Sequence, residues 1–268
     1  MSEKVLSRFH LPFPLFDSHF HALHTAERHE CAPVLLQKAF EQNLEGAMEV
    51  AIDEHRFQER LQTAAQYSRL RLSAGIHPSS THPDRGNWNE RFALIKEQST
   101  HPLVKAVGET GLDFYREHSP REAQIQAFAD HLELAAASNL PIIIHCRNAA
   151  EEVLESIKNS NCRHGIFHCF SEGPEVAEKA LELGFHISFA GNITYKNTEQ
   201  LARAARIIPQ ERILVETDAP YLAPQPVRGR PNHPGYIGYT LEALAKIRNE
   251  EPAQLAEITL ANTRKLFS

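Results

Sequence analysis

Eight short runs of apolar, strand-forming residues recur along the chain, and longer amphipathic stretches separate them. The runs are Leu15–His21, Ala47–Ile52, Leu70–Ile76, Val104–Gly108, Pro141–His145, Gly165–His168, Phe185–Phe189 and Ile213–Glu216. Helical patterns between them cover Cys31–Asn43, Phe57–Tyr67, Pro120–Ala137, Ala149–Lys158, Pro174–Leu183 and Thr198–Ile207. Pro174 at a helix entry and Gly184 just past its end are start and stop signals. Apolar strands that alternate with helices belong to parallel sheets wound in βα units. Eight such units in 268 residues predict closure into a (β/α)8 TIM-type barrel, with residues 1–268 as a single domain and the active site at the C-terminal ends of the strands. A doubly wound open sheet is the alternative, but no GxGxxG phosphate loop follows the first run.

The bulk properties narrow the partners. No cationic segment followed by an apolar run opens the chain, and no stretch is long enough to span a bilayer, so a cytoplasmic protein is expected. Cys31, Cys146, Cys162 and Cys169 lack CxxC or zinc-finger spacing and read as reduced thiols. A net charge of −6 argues against a broad basic face for gripping duplex DNA. A nucleic-acid end at a metal site is still compatible, because bound cations reverse the local field. No obligate protein partner is evident.

The chemistry lies where the strands end. In Asp17-Ser18-His19-Phe20-His21, alternate residues share a strand face, so His19 and His21 can point together into the barrel mouth and chelate one metal. The pair alone would be weak in a chain with 16 histidines. Glu109 follows the run Val104–Gly108, His145 and His168 each close an apolar run, and Asp218 sits just past Ile213–Val215. Four different strands thus deliver a metal-capable side chain to the rim where barrel active sites are built. A carboxylate or imidazole buried there needs a partner or an ion.

The ensemble DSHFH, GIHP, GETGLDF, PIIIHCR, FHCFS and ETDAPYLAP resembles the TatD-type metal-dependent deoxyribonucleases of the amidohydrolase superfamily, in order and over nearly the whole chain. The resemblance implies two divalent metal ions per chain (Zn2+, Mg2+ or Mn2+). His19, His21 and Asp218 would bind the first, His145 and His168 the second, and Glu109 would bridge both. Many relatives in the wider superfamily use a carbamylated lysine as the bridge, so a glutamate at the fourth strand supports the TatD branch. Asn148 stands where Asp is common and Cys146 where Ser is frequent, while Ala22-Leu23-His24 follow His21 in place of the frequent Leu-Asp. None of these is a proposed ligand.

The expected reaction is hydrolysis of DNA phosphodiester bonds at single-stranded ends, with the 3′→5′ direction implied by the resemblance. Two adjacent cations would polarise a phosphoryl oxygen and activate a water, Asp218 would take the proton, and Glu109 would fix the metal separation. Mixed His and carboxylate donors suit Zn2+ or Mn2+. His77, Arg147 and Arg228 are candidates for substrate phosphate, Arg because its fork matches phosphate. Asp113, Arg147 and Glu216 are candidates for orienting the ligands, and Asn262 for packing or capping. One Trp and six Tyr suggest no row of stacking aromatics for tracking a strand. A small-molecule phosphoesterase, lactonase or amidohydrolase using the same ions is the second hypothesis, and a metal-stabilised binding protein the third.

Overall fold

The computed structural model describes residues 9–28 and 32–268. The helix start expected at Cys31, and its thiol, lie outside the described residues. Strands β1 (Leu15–Phe20), β2 (Leu44–Glu49), β3 (Leu70–Ala74), β4 (Val104–Asp113), β5 (Ile142–Arg147), β6 (Gly165–Phe167), β7 (His186–Phe189) and β8 (Ile213–Val215) pair in sequence order, all parallel. The last strand returns to the first. Asp218 N–H donates to His19 O at 2.9 Å and His21 N–H to Ala219 O at 2.8 Å, while the Ser18 hydroxyl donates to Val215 O at 3.0 Å. The architecture is the expected (β/α)8 barrel.

The described helices are α1 (Ala22–Arg28), α2 (Ala32–Glu41), α3 (Phe57–Gln66), α4 (Trp88–Ser99), α5 (Arg121–Ser138), α6 (Ala150–Asn159), α7 (Pro174–Glu182), α8 (Glu199–Ile207), α9 (Ile237–Arg248) and α10 (Pro252–Leu266). One large apolar cluster joins strands to helices. A second draws Phe16, Met48, Ala106, Ile143, Ile166 and Leu214 from six different strands, so it fills the barrel interior. Phe267 packs against Phe16 with ring centroids 6.2 Å apart. Fully burying each such side chain is worth about 1.5–3 kcal/mol. The rim above can therefore carry polar groups that would be costly in a weaker frame.

Two differences from the sequence pattern matter. First, β4 runs on to Asp113, where the pattern suggests an end at Gly108. Thr110 to Asp113 pair with Ile144 to Arg147, and the register shifts between Val107 and Thr110. Such a bulge re-aims a side chain, here Glu109. Gly108 and Gly111 hold φ of +126° and +136°, and a Cβ on Gly111 would lie 2.0 Å from His145 O. Both positions require glycine. Second, α4 and α9 do not stand out as helical patterns. The buried face of α4 is Arg91, Phe92, Ile95 and Gln98, so half of it reads as polar, and Gly238 and Thr240 similarly interrupt the buried face of α9.

Candidate metal centre

β1 brings His19 to the mouth, and His21 stands one residue past its end. The strand is held in place from across the seam. The Asp17 carboxylate accepts the Thr217 backbone N–H at 2.9 Å and the Thr217 hydroxyl at 2.5 Å. Asp218 follows directly and carries φ +54°. Asn232 supports the same turn, donating to Thr217 O at 2.8 Å and Tyr221 O at 2.7 Å. Burial pushes the Asp17 carboxyl up to about 8, against the Thr217 hydrogen bonds.

The structure gathers all six proposed donors around one carboxylate. Glu109 Oε2 lies 3.5 Å from His19 Nε2 and 3.7 Å from His21 Nε2. These two nitrogens are 3.3 Å apart, and Asp218 Oδ1 is 3.8 and 3.6 Å from them. The other oxygen, Glu109 Oε1, faces His168 Nε2 at 2.7 Å and His145 Nδ1 at 2.9 Å, with those nitrogens 3.4 Å apart. Donors about 3.4 Å apart are what bonds of about 2.0–2.1 Å to a tetrahedral ion require. Three donor groups among the described residues have the spacing to hold an ion: His19-His21-Glu109, His77-Glu109-His145 and His19-His168-Glu216. In the last, Glu216 Oε1 already accepts the Cys169 N–H at 2.7 Å and faces His168 Nδ1 at 3.3 Å. It therefore serves to orient the ring.

The hydrogen bonds behind the rings decide which nitrogens are free. His21 Nδ1 contacts Val50 O at 3.0 Å; a carbonyl only accepts, so the proton is on Nδ1 and Nε2 keeps its lone pair. His168 stands between Glu216 and Glu109, and His145 between Asp113 Oδ2 at 3.2 Å and Glu109. A neutral ring can satisfy only one carboxylate. The other contact then sets a lone pair against an anion, which is repulsive unless a proton or a metal cation lies between them. The electrostatics point the same way. Burial opposes charge on His168, yet Glu109 and Glu216 hold its pKa well above the usual value. His145 is raised against burial by Asp113 and Glu109. Glu109 is held far below the ordinary carboxylate range despite burial, chiefly by His168. The donor set demands positive charge and suits a divalent metal.

His77 is different. Its Nδ1 accepts the Ser79 N–H at 3.0 Å, so a neutral ring carries its proton on Nε2, 3.6 Å from Glu109 Oε1. Burial lowers its pKa to about 3, with Glu109 opposing. Asp113 holds the outer nitrogen of His145, and its other oxygen accepts from Tyr115 N–H at 3.1 Å and Arg116 N–H at 2.9 Å. His131, given no role on sequence, accepts the Ile76 N–H at 3.1 Å and so anchors the strand end that presents His77. Asn262 donates to Gln210 O at 2.7 Å and Ile213 O at 3.0 Å, tying α10 to the entry of β8.

The donors open into a cleft of about 540 Å³ whose walls include Arg28, His77, Arg116, Arg147, Asn192 and Tyr221. Arg147 is thus in the cleft, whereas Arg228 is not among its lining residues and instead stacks on Tyr195. Sequence reasoning missed Tyr221, which lies inside the ETDAPYLAP motif, and Arg28 and Arg116, which follow DSHFH and GETGLDF at a distance of a few residues. Their proximity to those motifs was the available signal.

Comparison with known proteins gives the family. The family described as TatD related DNase matches residues 16–268. YabD of Bacillus subtilis, described as an uncharacterized metal-dependent hydrolase, is 34% identical over 94% of this chain and 98% of its own. A 3′-5′ ssDNA/RNA exonuclease TatD of a Rahnella species is 36% identical over 73% of this chain and 76% of its own. The crystal structure of YjjV, a TatD homologue from Escherichia coli, superposes with a TM-score of 0.85 at 26% identity, covering 95% of this chain and 98% of that one. The chain belongs to the TatD-related family of metal-dependent hydrolases.

Proposed function

We propose that this protein is a two-metal deoxyribonuclease that cleaves phosphodiester bonds at single-stranded DNA ends, in the cytoplasm, with residues 1–268 acting as one domain. One observation carries the proposal: the two oxygens of Glu109 face two different histidine pairs. His19, His21 and Asp218 would hold one ion, His145 and His168 the other, and Glu109 would touch both. The thiols among the described residues, Cys146, Cys162 and Cys169, form no disulfide, which suits a reducing compartment. The 3′→5′ direction rests on the name of the Rahnella relative.

Divalent ions in such a site supply Lewis-acid charge to a phosphoryl oxygen and lower the pKa of a water. The chain's own groups do the rest. Asp218 is kept ionised, with burial outweighed by its contact to His21 and by His19, so its carboxylate can accept a proton from the attacking water. General-base help of this kind is worth on the order of 10²–10⁴-fold. Glu109 is held far below the usual carboxylate range and acts as a fixed spacer, not a proton carrier. His77 Nε2–H donates to a non-bridging phosphate oxygen, and its depressed pKa keeps the ring neutral across the working range. Arg147 in the cleft and Arg228 on the neighbouring loop are offered to flanking phosphates.

The test pairs chemistry with metal content. Protein loaded with Mg2+, Mn2+ or Zn2+ should degrade end-labelled single-stranded DNA. Glu109→Ala should bind fewer ions per chain and lose at least about a hundredfold in rate, judged against the several kcal/mol of metal-ion catalysis. Hydrolysis of small esters or lactones with no cleavage of DNA under any of the three metals would replace the nuclease with a small-molecule hydrolase. Stoichiometric metal with no hydrolysis at all would leave a binding protein.

A further inference from the structure

Three arginines among the described residues stack on tyrosine rings: Arg28 ends α1, Arg147 ends β5, and Arg228 lies in the segment that follows β8. The Arg28 guanidinium lies 4.7 Å from the Tyr221 ring centroid, Arg147 lies 4.2 Å from Tyr115, and Arg228 lies 4.1 Å from Tyr195. The other cation–ring contacts among the described residues use phenylalanine: Arg69 on Phe40, Lys96 on Phe92 and Arg121 on Phe114. The tyrosines come from positions 115, 195 and 221, too far apart for the sequence to show a row. The fold brings them to one end of the barrel.

Two of the stacks have a fixed relation to the donor set. Tyr221 meets the His21 ring edge to face, with centroids 6.0 Å apart, and both Tyr221 and Arg28 line the cleft. This stack is on the His19-His21-Asp218 side. Tyr115 is fixed through Asp113, whose one oxygen accepts the Tyr115 N–H and whose other contacts His145. Its partner Arg147 lines the cleft two residues past His145. This stack is on the His145-His168 side. Tyr115 is 62% exposed, a large ring left in solvent. Each side of the donor set thus has a guanidinium in the cleft wall that can pair with a phosphate, stacked on a ring that can offer its other face to a base, Tyr221 in the wall itself and Tyr115 behind Arg147, and Arg116 adds a further cation to the wall. In a chain of net charge −6, this places positive charge where a polyanion would lie.

We propose that the Arg28–Tyr221 and Arg147–Tyr115 stacks are two nucleotide subsites, one on each side of the metal pair, so that the preferred bond is a phosphodiester carrying a nucleoside on both sides. The substrate class is a flexible single strand, because stacking on both rings requires bases free of a partner strand. The inference rests on the nuclease reading and adds to it the minimum substrate and the residues that select it.

The experiment uses the metal-loaded full chain and two substrates, an end-labelled single-stranded oligodeoxynucleotide and methyl p-nitrophenyl phosphate, a chromogenic diester with no base and no ring beyond its leaving group. Tyr115→Ala and Tyr221→Ala should each raise KM for the oligonucleotide by about tenfold, within the range of base–aromatic stacking, and should raise it several times more than KM for the chromogenic diester. Tyr115→Phe and Tyr221→Phe keep the ring and should restore the oligonucleotide KM. Activity on the chromogenic diester also reports that each variant is folded. Equal losses on both substrates, or failure of phenylalanine to restore, would overturn the subsites while the nuclease stands. A wild-type protein that hydrolyses the chromogenic diester but cuts no oligonucleotide would remove the nuclease reading and the subsites together.

Discussion

Two buried polar networks lie on the same barrel, and they are closed in opposite ways. Beside β2, Arg60 pairs with Glu49 and donates to Glu49 O at 3.0 Å and Ser73 O at 2.8 Å. Arg91 holds Glu54 with both arms of its fork and donates to Ser80 O at 2.9 Å. Each of these anions has a cation from the chain itself. At the mouth, Glu109 and Asp218 face five imidazoles, those of His19, His21, His77, His145 and His168, and among the described residues no lysine or arginine pairs with either carboxylate. The chain supplied guanidiniums where it needed only a fastening. Where it supplied acceptors alone, the positive charge must come from outside.

The largest effect that would test this contrast is on the closed network. Arg91→Met should cost about 3–5 kcal/mol of stability, the usual penalty for stranding one member of a buried ion pair. The double variant Arg91→Met with Glu54→Leu should recover most of that loss, since apolar replacements of both partners are often neutral. Denaturant midpoints measure both. Metal per chain in the folded protein should not change, and a fall in bound metal would show that the two networks are one.

The same division explains what could be read before any coordinates. The six candidate donors were legible as a group because each ends or closely follows an apolar run, where an unpaired polar group would be too costly to leave without a purpose. The barrel was legible from the alternation of runs. What holds the donors was not. Asp17 meets Thr217 across 200 positions, Asn232 fixes the turn that carries Asp218, and Tyr115 and Tyr221 converge only once β4 and β8 are neighbours of the same mouth. Helix α4 escaped notice for the related reason that Arg91 and Gln98 occupy its buried face. Buried polar residues with distant partners leave no periodic trace.

His131 sharpens the contrast because it is an imidazole in a closed setting. Its Nδ1–H donates to Ala127 O at 2.6 Å, and its Nε2 accepts from Ile76 N–H at 3.1 Å. The second contact requires the neutral ring, because a protonated Nε2 has no lone pair to accept with. Burial lowers its pKa to about 4, only partly offset by Ala127 and Asp130. Above the unfolded pKa of about 6.5 neither state binds the proton, and the full stability is present. As pH falls from there toward 4 the unfolded chain takes up a proton that the folded chain refuses, so stability declines by roughly 3 kcal/mol in all. His131→Gln, which cannot titrate, should flatten that part of the acid limb relative to the parent in melting experiments at successive pH values. An unchanged slope would mean that the ring is not the sensor.

The smallest effect should come from the group that joins the two kinds of network. Glu216 is fully buried and accepts the Cys169 N–H while facing the outer nitrogen of His168. Glu216→Gln keeps one acceptor oxygen for both contacts, removes the charge and puts an amide NH2 in place of the other oxygen. If the carboxylate serves to make His168 a better donor, metal affinity should fall by about tenfold, at the lower end of the range for groups that orient a metal-bound histidine, while metal capacity at saturation is preserved. Competition with a chromophoric chelator separates the two quantities. Loss of an entire ion at saturation would instead make Glu216 a ligand in its own right, through the His19-His168-Glu216 grouping. An unchanged affinity would mean that packing alone sets the His168 ring, and that the charge behind it belongs to the frame and not to the site.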